Sequence, residues 1–239
     1  MNIDFITSNP LFGITLSLLT FYIGSKIQSK WNYPLFHPLL IAILLTSGFL
    51  VLFDIPVSHY QEGGEMITFF LAPTTALLAY SIYNQKQLLK KYWLAILAGC
   101  MSGAIASVGS VYLLCKLFSL DNAIVASLLP KSTTMPIALD ISQNLDGISS
   151  ITVIAVVVTG ILGSILCPVL GQLFIFYNKK NKTETSNKIA LGVGTGTASH
   201  AVGTSRAIEL GEIEGAMSGI SIGITGICTV ILTLFLNLS

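Results

Sequence analysis

Long apolar runs constrain this chain before any other feature does. A helix needs about 20 mostly apolar residues to cross a hydrocarbon layer roughly 30 Å thick. Six stretches come close to that: residues 6–25, 35–53, 66–83, 92–115, 148–176 and 217–238. Of the 239 residues, 53% are hydrophobic and 10% charged, against about 25% charged in soluble domains. The chain therefore reads as one polytopic domain, residues 1–239, an all-α integral membrane protein with the lipid bilayer as its first partner. Twelve Lys and Arg nearly balance eleven Asp and Glu, which argues against a nucleic-acid binder. Cys100, Cys115, Cys167 and Cys228 lie in or beside apolar runs at no metal-like spacing, and read as core or lipid-facing fillers. Met1 to Phe5 show no basic segment and no small-residue cleavage site, so no signal peptide is expected.

The connecting segments sort by charge. Lys26 and Lys30, then Lys86, Lys90 and Lys91, then Lys179, Lys180, Lys182 and Lys188 make three of them basic. The segment 54–65 holds Asp54, Glu62 and Glu65 with no Lys or Arg. The bias of basic loops toward the cytoplasm places the first three inside and the acidic one outside. Two more apolar stretches are interrupted. Residues 120–142 contain Pro130 and Pro136 around Lys131, and residues 189–204 are rich in small residues and hold His200. Basic loops at 84–91 and 178–188 share a side only if an even number of crossings separates them. The interrupted stretches are then re-entrant, opening from opposite faces, with both termini outside. The predicted architecture is about six full spans plus two broken or re-entrant segments, an inverted-repeat transporter-like bundle. Irregular backbone at membrane depth is tolerated only where it is buried in protein or lines a watery cavity, and opposed interruptions point to a carrier's binding site. The competing reading is that the prolines merely kink a structural helix. A Pro-Thr-Thr unit at Pro73 echoes the one after Pro130 across a two-residue gap, which fits a weak internal duplication.

The 130–138 segment carries the clearest chemistry. A helix starting at Pro130 or Pro136 presents free N–H groups and its positive dipole end to an anion. Lys131 adds a full charge, and Ser132, Thr133 and Thr134 add hydroxyls, a set that suits a carboxylate. The hydroxyls also fit ordinary backbone bonding within a helix, and Lys131 also fits snorkelling to the interface. In the second segment, Gly196 and Gly203 permit close helix contact. His200 changes charge near neutral pH, so it is a candidate for proton coupling, beside a purely structural role. Thr204 and Arg206 are further candidates for substrate contact, Arg206 through its planar fork or else as an orientation charge. Asp140 is positioned to pair with Lys131 or to accept a proton. Glu209, Glu212 and Glu214 read as a solvated run before the last span, and His37 and His59 as solvated bystanders. Pro73, Pro130, Pro136, Gly196 and Gly203 are assigned structural roles. Gly99–Gly103 and Gly219–Gly223 spacings predict tight helix contacts within or between copies, and a homo-oligomer is expected. No Ser/His/Asp order or carboxylate pair supports hydrolysis, so neither enzyme activity, cofactor nor metal is expected.

The stretches Leu129-Pro130-Lys131-Ser132-Thr133-Thr134-Met135-Pro136 and Ser199-His200-Ala201-Val202-Gly203-Thr204-Ser205-Arg206 resemble the LrgB/CidB/YohK family. Glu209-Leu210-Gly211-Glu212-Ile213-Glu214-Gly215 and Leu71-Ala72-Pro73-Thr74-Thr75 are similar too, and Ser205 stands where alanine is usual. The resemblance implies a multi-pass protein of the bacterial plasma membrane, acting with a small LrgA/CidA-type holin-like partner. It implies two alternative functions. One is transport of small monocarboxylates such as pyruvate or glycolate, with a proton as the possible coupling ion. The other is holin/antiholin-like control of murein hydrolase export and cell lysis. Fixed positive polarity beside broken helices suits a small organic anion better than a lysis pore.

Overall fold

A computed structural model describes residues 6–31, 36, 38–173 and 185–236. His37, the first five residues and Lys179, Lys180 and Lys182 lie outside them. The described residues form helices joined by short turns: α1 (Pro10–Trp31), α2 (Pro38–Leu52), α3 (Val57–Thr68), α4 (Leu71–Asn84), α5 (Lys86–Leu117), α6 (Asn122–Leu128), α7 (Met135–Asn144), α8 (Ser149–Leu173), α9 (Thr185–Leu210) and α10 (Glu212–Leu234). The chain is an all-α, multi-pass membrane protein. Five helices are long and apolar enough to cross a bilayer, α3 and α4 counting together as one, and α2 is a shorter apolar helix. The sixth expected span, 35–53, is thus only 15 residues of helix. Pro38 begins it, and Asp54 ends it at φ 51° while the Ile55 N–H closes on the Leu50 carbonyl, a left-handed stop that caps the last turn.

Two expected loops are helical instead. Glu62 and Glu65 ride on α3, and Lys86, Lys90 and Lys91 occupy the first turns of α5. Helix propensity and neighbouring apolar runs carried the backbone through these charges, because surface charges do not stop a helix. The bend between α3 and α4 at Phe69 and Phe70 has a local cause. Pro73 cannot donate to the Phe69 carbonyl, and its ring crowds that group. Pro73 therefore sits just inside a helix whereas Pro130 sits in a turn, so the Pro-Thr-Thr echo is not a structural one.

The described residues fall into two compact units, Met1–Leu77 and Leu78–Ser239. In the first, α1 packs on α2 and α3 around Leu16, Leu50 and Ile55. Gly13 and Gly63 let α1 and α3 meet backbone to backbone. Thr20 and Thr46 share a buried hydroxyl bond of 3.0 Å. His59, expected to be solvated, is half-buried and bonds the Thr7 hydroxyl at 3.1 Å.

In the second unit, neighbours along each helix give the chain's direction. Helix α6 runs back along α5: Val125 and Leu129 cluster with Val108, Val111 and Cys115, and Ser132 reaches Ser107. The chain turns through 129–134 into α7, whose far end packs on the start of α8: Thr152 donates to Ser142 at 2.7 Å, and the Ile148 N–H donates at 2.7 Å to Ser127 Oγ near the end of α6. This is hairpin 1. On α10, Gly192 meets Glu214 and Met217, Gly196 meets Ser218, and Thr197 meets Thr225, so the first half of α9 runs parallel to α10. Beyond His200 the order reverses: Thr204 bonds Ser218, and Ile208 lies on Gly215. This is hairpin 2. The two re-entrant segments enter from opposite ends of the unit, as the charge parity predicted. Gly99 and Gly103 contact Val193 and Thr197, so that glycine pair serves packing within one subunit.

Candidate site between two hairpin tips

Hairpin 2 turns at a single residue. His200 has φ 42° and ψ −137°, a conformation that costs a side-chain-bearing residue about 1–3 kcal/mol unless the surroundings hold it. They do so here. The imidazole is 5% exposed, and its Nε2–H donates to the Val156 carbonyl of α8 at 3.0 Å. Gly160 makes room for it, since a Cβ there would lie 2.6 Å from the ring. Ser199 sits against Gly163 in the same way. Two glycines about one turn apart on α8 thus form the seat of the tip.

Hairpin 1 turns over six residues. Pro130 is almost fully buried, the Thr133 hydroxyl donates to the Pro130 carbonyl at 2.8 Å, and Pro136 occupies the first turn of α7. Thr134 is the N-cap of α7 with an extended backbone, and its side chain makes no capping bond. The Met135 and Ile137 N–H groups are thus left without a side-chain cap, and Pro136 between them has no N–H to satisfy.

Both tips border one cavity of about 910 Å³. Lys131 and Ser132 come from hairpin 1, and Gly194, Thr197 and Ala198 from hairpin 2. Helix α5 contributes Ser102, Gly103, Ser107 and Ser110, and α8 contributes Thr159 and Gly163. Ser132 bonds Ser107 at 2.8 Å and accepts from the Lys131 ammonium at 3.4 Å. Lys131 is half-buried, and among the described residues no carboxylate pairs with it. A partly desolvated ammonium with hydroxyl neighbours and no counter-charge is a strong attractor for a carboxylate.

Of the residues singled out from sequence, Lys131 and Ser132 line the cavity together. Thr133 is turned inward on its own turn, and Thr134 caps α7. Thr204 is buried, donating to the His200 carbonyl at 3.0 Å and sharing a 2.7 Å bond with Ser218. It fastens hairpin 2 to α10. His200 turns its ring to Val156 and Gly160 of α8 and is not among the residues lining the cavity. Arg206 is ion-paired with Glu209 on an exposed turn, and Asp140 is exposed on α7, neither beside Lys131. Gly196 lies against the Ser218 backbone, and Gly203 against Ser199 and Thr195. The hydroxyls of α5 were missed, although their signal was present. Gly99, Ser102, Gly103, Ala106, Ser107 and Ser110 recur at helical spacing as one stripe of small and hydroxyl residues. The solvated-run reading of Glu214 is corrected, because that side chain is 1% exposed. The helix begins at Glu212, so its first turn carries Glu214 into the interface with α9. Among the described residues no His, Cys, Asp and Glu cluster is arranged to hold a metal.

Two re-entrant hairpins entering from opposite ends and a cationic, hydroxyl-lined cavity between their tips define a multi-pass membrane protein with a ligand-sized site at the helix breaks. The chain belongs to the LrgB-like family, whose sequence profile matches residues 17–238. It is 40% identical over 226 residues to the antiholin-like protein LrgB of Bacillus subtilis (strain 168), covering 94% of each chain. It is 39% identical over 227 residues to the protein of the same name from Bacillus mycoides (strain KBAB4), again covering 94% of each. No solved structure matches it.

Proposed function

We propose that this chain is a carrier of small monocarboxylates in the bacterial plasma membrane. The observation behind this reading is Lys131, held without a carboxylate partner among the described residues in a cavity bordered by both hairpin tips. A substrate carboxylate rests against the Lys131 ammonium, and the hydroxyls of Ser102, Ser107, Ser132 and Thr197 bind the remaining polar atoms of a pyruvate- or glycolate-sized molecule. Movement of the hairpins against the long helices opens the cavity to one side at a time. A small LrgA/CidA-type holin-like protein and further copies of the chain are the expected partners.

The second reading follows the name borne by the relatives, an antiholin-like regulator of lysis, and rests on identity across nearly the whole chain. One experiment separates the two. Purified protein is placed in liposomes with and without the small partner, and uptake of labelled pyruvate and leakage of an entrapped dye are followed together. The carrier reading expects saturable uptake without leakage, abolished or strongly reduced by Lys131→Gln in protein that still inserts. Leakage that requires both proteins, with no saturable uptake, overturns it in favour of the lysis role.

A further inference from the structure

Glu214 is the largest unexplained electrostatic fact in the second unit. Its side chain is 1% exposed, and its Oε1 has no hydrogen-bond partner. A buried carboxylate oxygen left without a partner is costly to keep out of water. The position is built around it. Gly211, the N-cap of α10, has no side chain where the carboxylate lies, for a Cβ there would come 2.5 Å from Oε2. Gly192 of α9 closes over the same residue, since a Cβ at 192 would meet the Glu214 carbonyl oxygen at 2.5 Å. Gly211 also borders a cavity of about 300 Å³ shared with Ser81, Asn84, Gln85, Ile208 and Glu212, so the residue in contact with the carboxylate has the cavity on its other side.

The first half of α9 connects this group to the ligand cavity. Gly192 and Gly196, one turn apart, face α10 at Glu214 and Ser218. Gly194 and Ala198, on the opposite face, border the cavity that holds Lys131. Any shift of hairpin 2 that reshapes one face moves the other. The titratable and charged groups on the surrounding elements are Lys188, His200 and the Arg206–Glu209 pair on α9, and Lys86, Lys90, Lys91, Tyr92, Cys100, Tyr112, Cys115 and Lys116 on α5. Tyr80 and Tyr83 stand on α4, and Glu212 and Cys228 on α10 itself; Asp140 is on α7, which meets α10 far along at Gly226. None of them forms an ion pair with Glu214 among the described residues.

We infer that Glu214 is the proton-binding group of the carrier, loaded and unloaded as hairpin 2 moves, so that one proton accompanies each carboxylate. This rests on the carrier reading above. The test uses the full chain in liposomes with labelled pyruvate, comparing counterflow at equal pH with accumulation driven by an imposed pH gradient. A pH dye inside the vesicles reports proton movement. Wild-type protein is expected to accumulate substrate severalfold with the gradient and to acidify the lumen. Glu214→Gln is expected to keep counterflow while losing gradient-driven accumulation and lumen acidification, and Glu214→Asp to recover part of both. Wild-type counterflow that ignores the gradient overturns the coupling inference and leaves the carrier reading standing. So does a Glu214→Gln protein that still accumulates. Absence of wild-type counterflow removes the carrier reading itself. If Glu214→Gln fails to insert, Glu214→Met takes its place, and gradient-driven accumulation retained by that variant overturns the inference too.

Discussion

Replacing His200 by alanine and, separately, by glycine isolates the backbone at the tip of hairpin 2 from the ring it carries. Both variants lose the bond to the Val156 carbonyl and the same imidazole volume. Only alanine keeps the penalty of φ 42° and ψ −137°, worth about 1–3 kcal/mol for a residue with a Cβ. Glycine relieves that strain but loses about 0.5–1 kcal/mol through the greater freedom of its unfolded chain. The difference leaves the glycine variant more stable than the alanine variant by up to about 2.5 kcal/mol, the reverse of the order within a helix. For a chain of this size that corresponds to a gap of up to roughly 10 °C in melting temperature. Thermal unfolding of the two purified variants in one detergent, read by the loss of the monodisperse elution peak, measures it. An alanine variant as stable as glycine or more so refutes a chain reversal at this residue, and with it the re-entrant hairpin.

Other consequences are as direct. Lys131→Gln removes a charge-assisted bond worth about 1.5–3 kcal/mol, so the apparent affinity for carboxylate falls about 10- to 100-fold, checked by uptake at varied substrate concentration. Gly196→Val drives a side chain into the Ser218 backbone and destabilises by about 1–3 kcal/mol or more, seen as a lowered melting point and lost uptake. Asp140→Asn changes an exposed side chain away from Lys131, and uptake is expected to stay within about twofold, the range of a change under 0.5 kcal/mol.

Much of this was legible in the sequence, for identifiable reasons. The interrupted stretches showed themselves because Pro130 and Pro136 flank a lysine in apolar sequence, and loop charges fixed the parity that made both segments re-entrant. Lys131 and Ser132 could be placed because a charge at membrane depth has few stable surroundings. Pairing was harder to read. Nothing local distinguishes Arg206, whose partner is three residues along its own helix, from an arginine facing a ligand. Glu214 looked like part of a wet run because its neighbours Glu209 and Glu212 are exposed. Its burial follows from the angle at which α10 leaves Gly211, which is a property of packing against α9. The serines of α5 went unread because the glycine spacing singled out only Gly99 and Gly103 of that stripe, as packing positions, although the stripe serves both purposes.

Helix α2 has a further consequence for the membrane around it. Fifteen residues reach about 22 Å, some 8 Å less than an ordinary hydrocarbon layer. Each ångström of mismatch costs a fraction of a kcal/mol, and a helix this short is accommodated by a thinner bilayer, by snorkelling of its flanking residues or by association with other helices. The aromatic pair Trp31 and Phe36, with ring centroids 5.1 Å apart, stands just before its start, where indole prefers the headgroup level. Chain length of the host lipid thus becomes a control on this protein, with shorter acyl tails relieving the mismatch and longer ones increasing it.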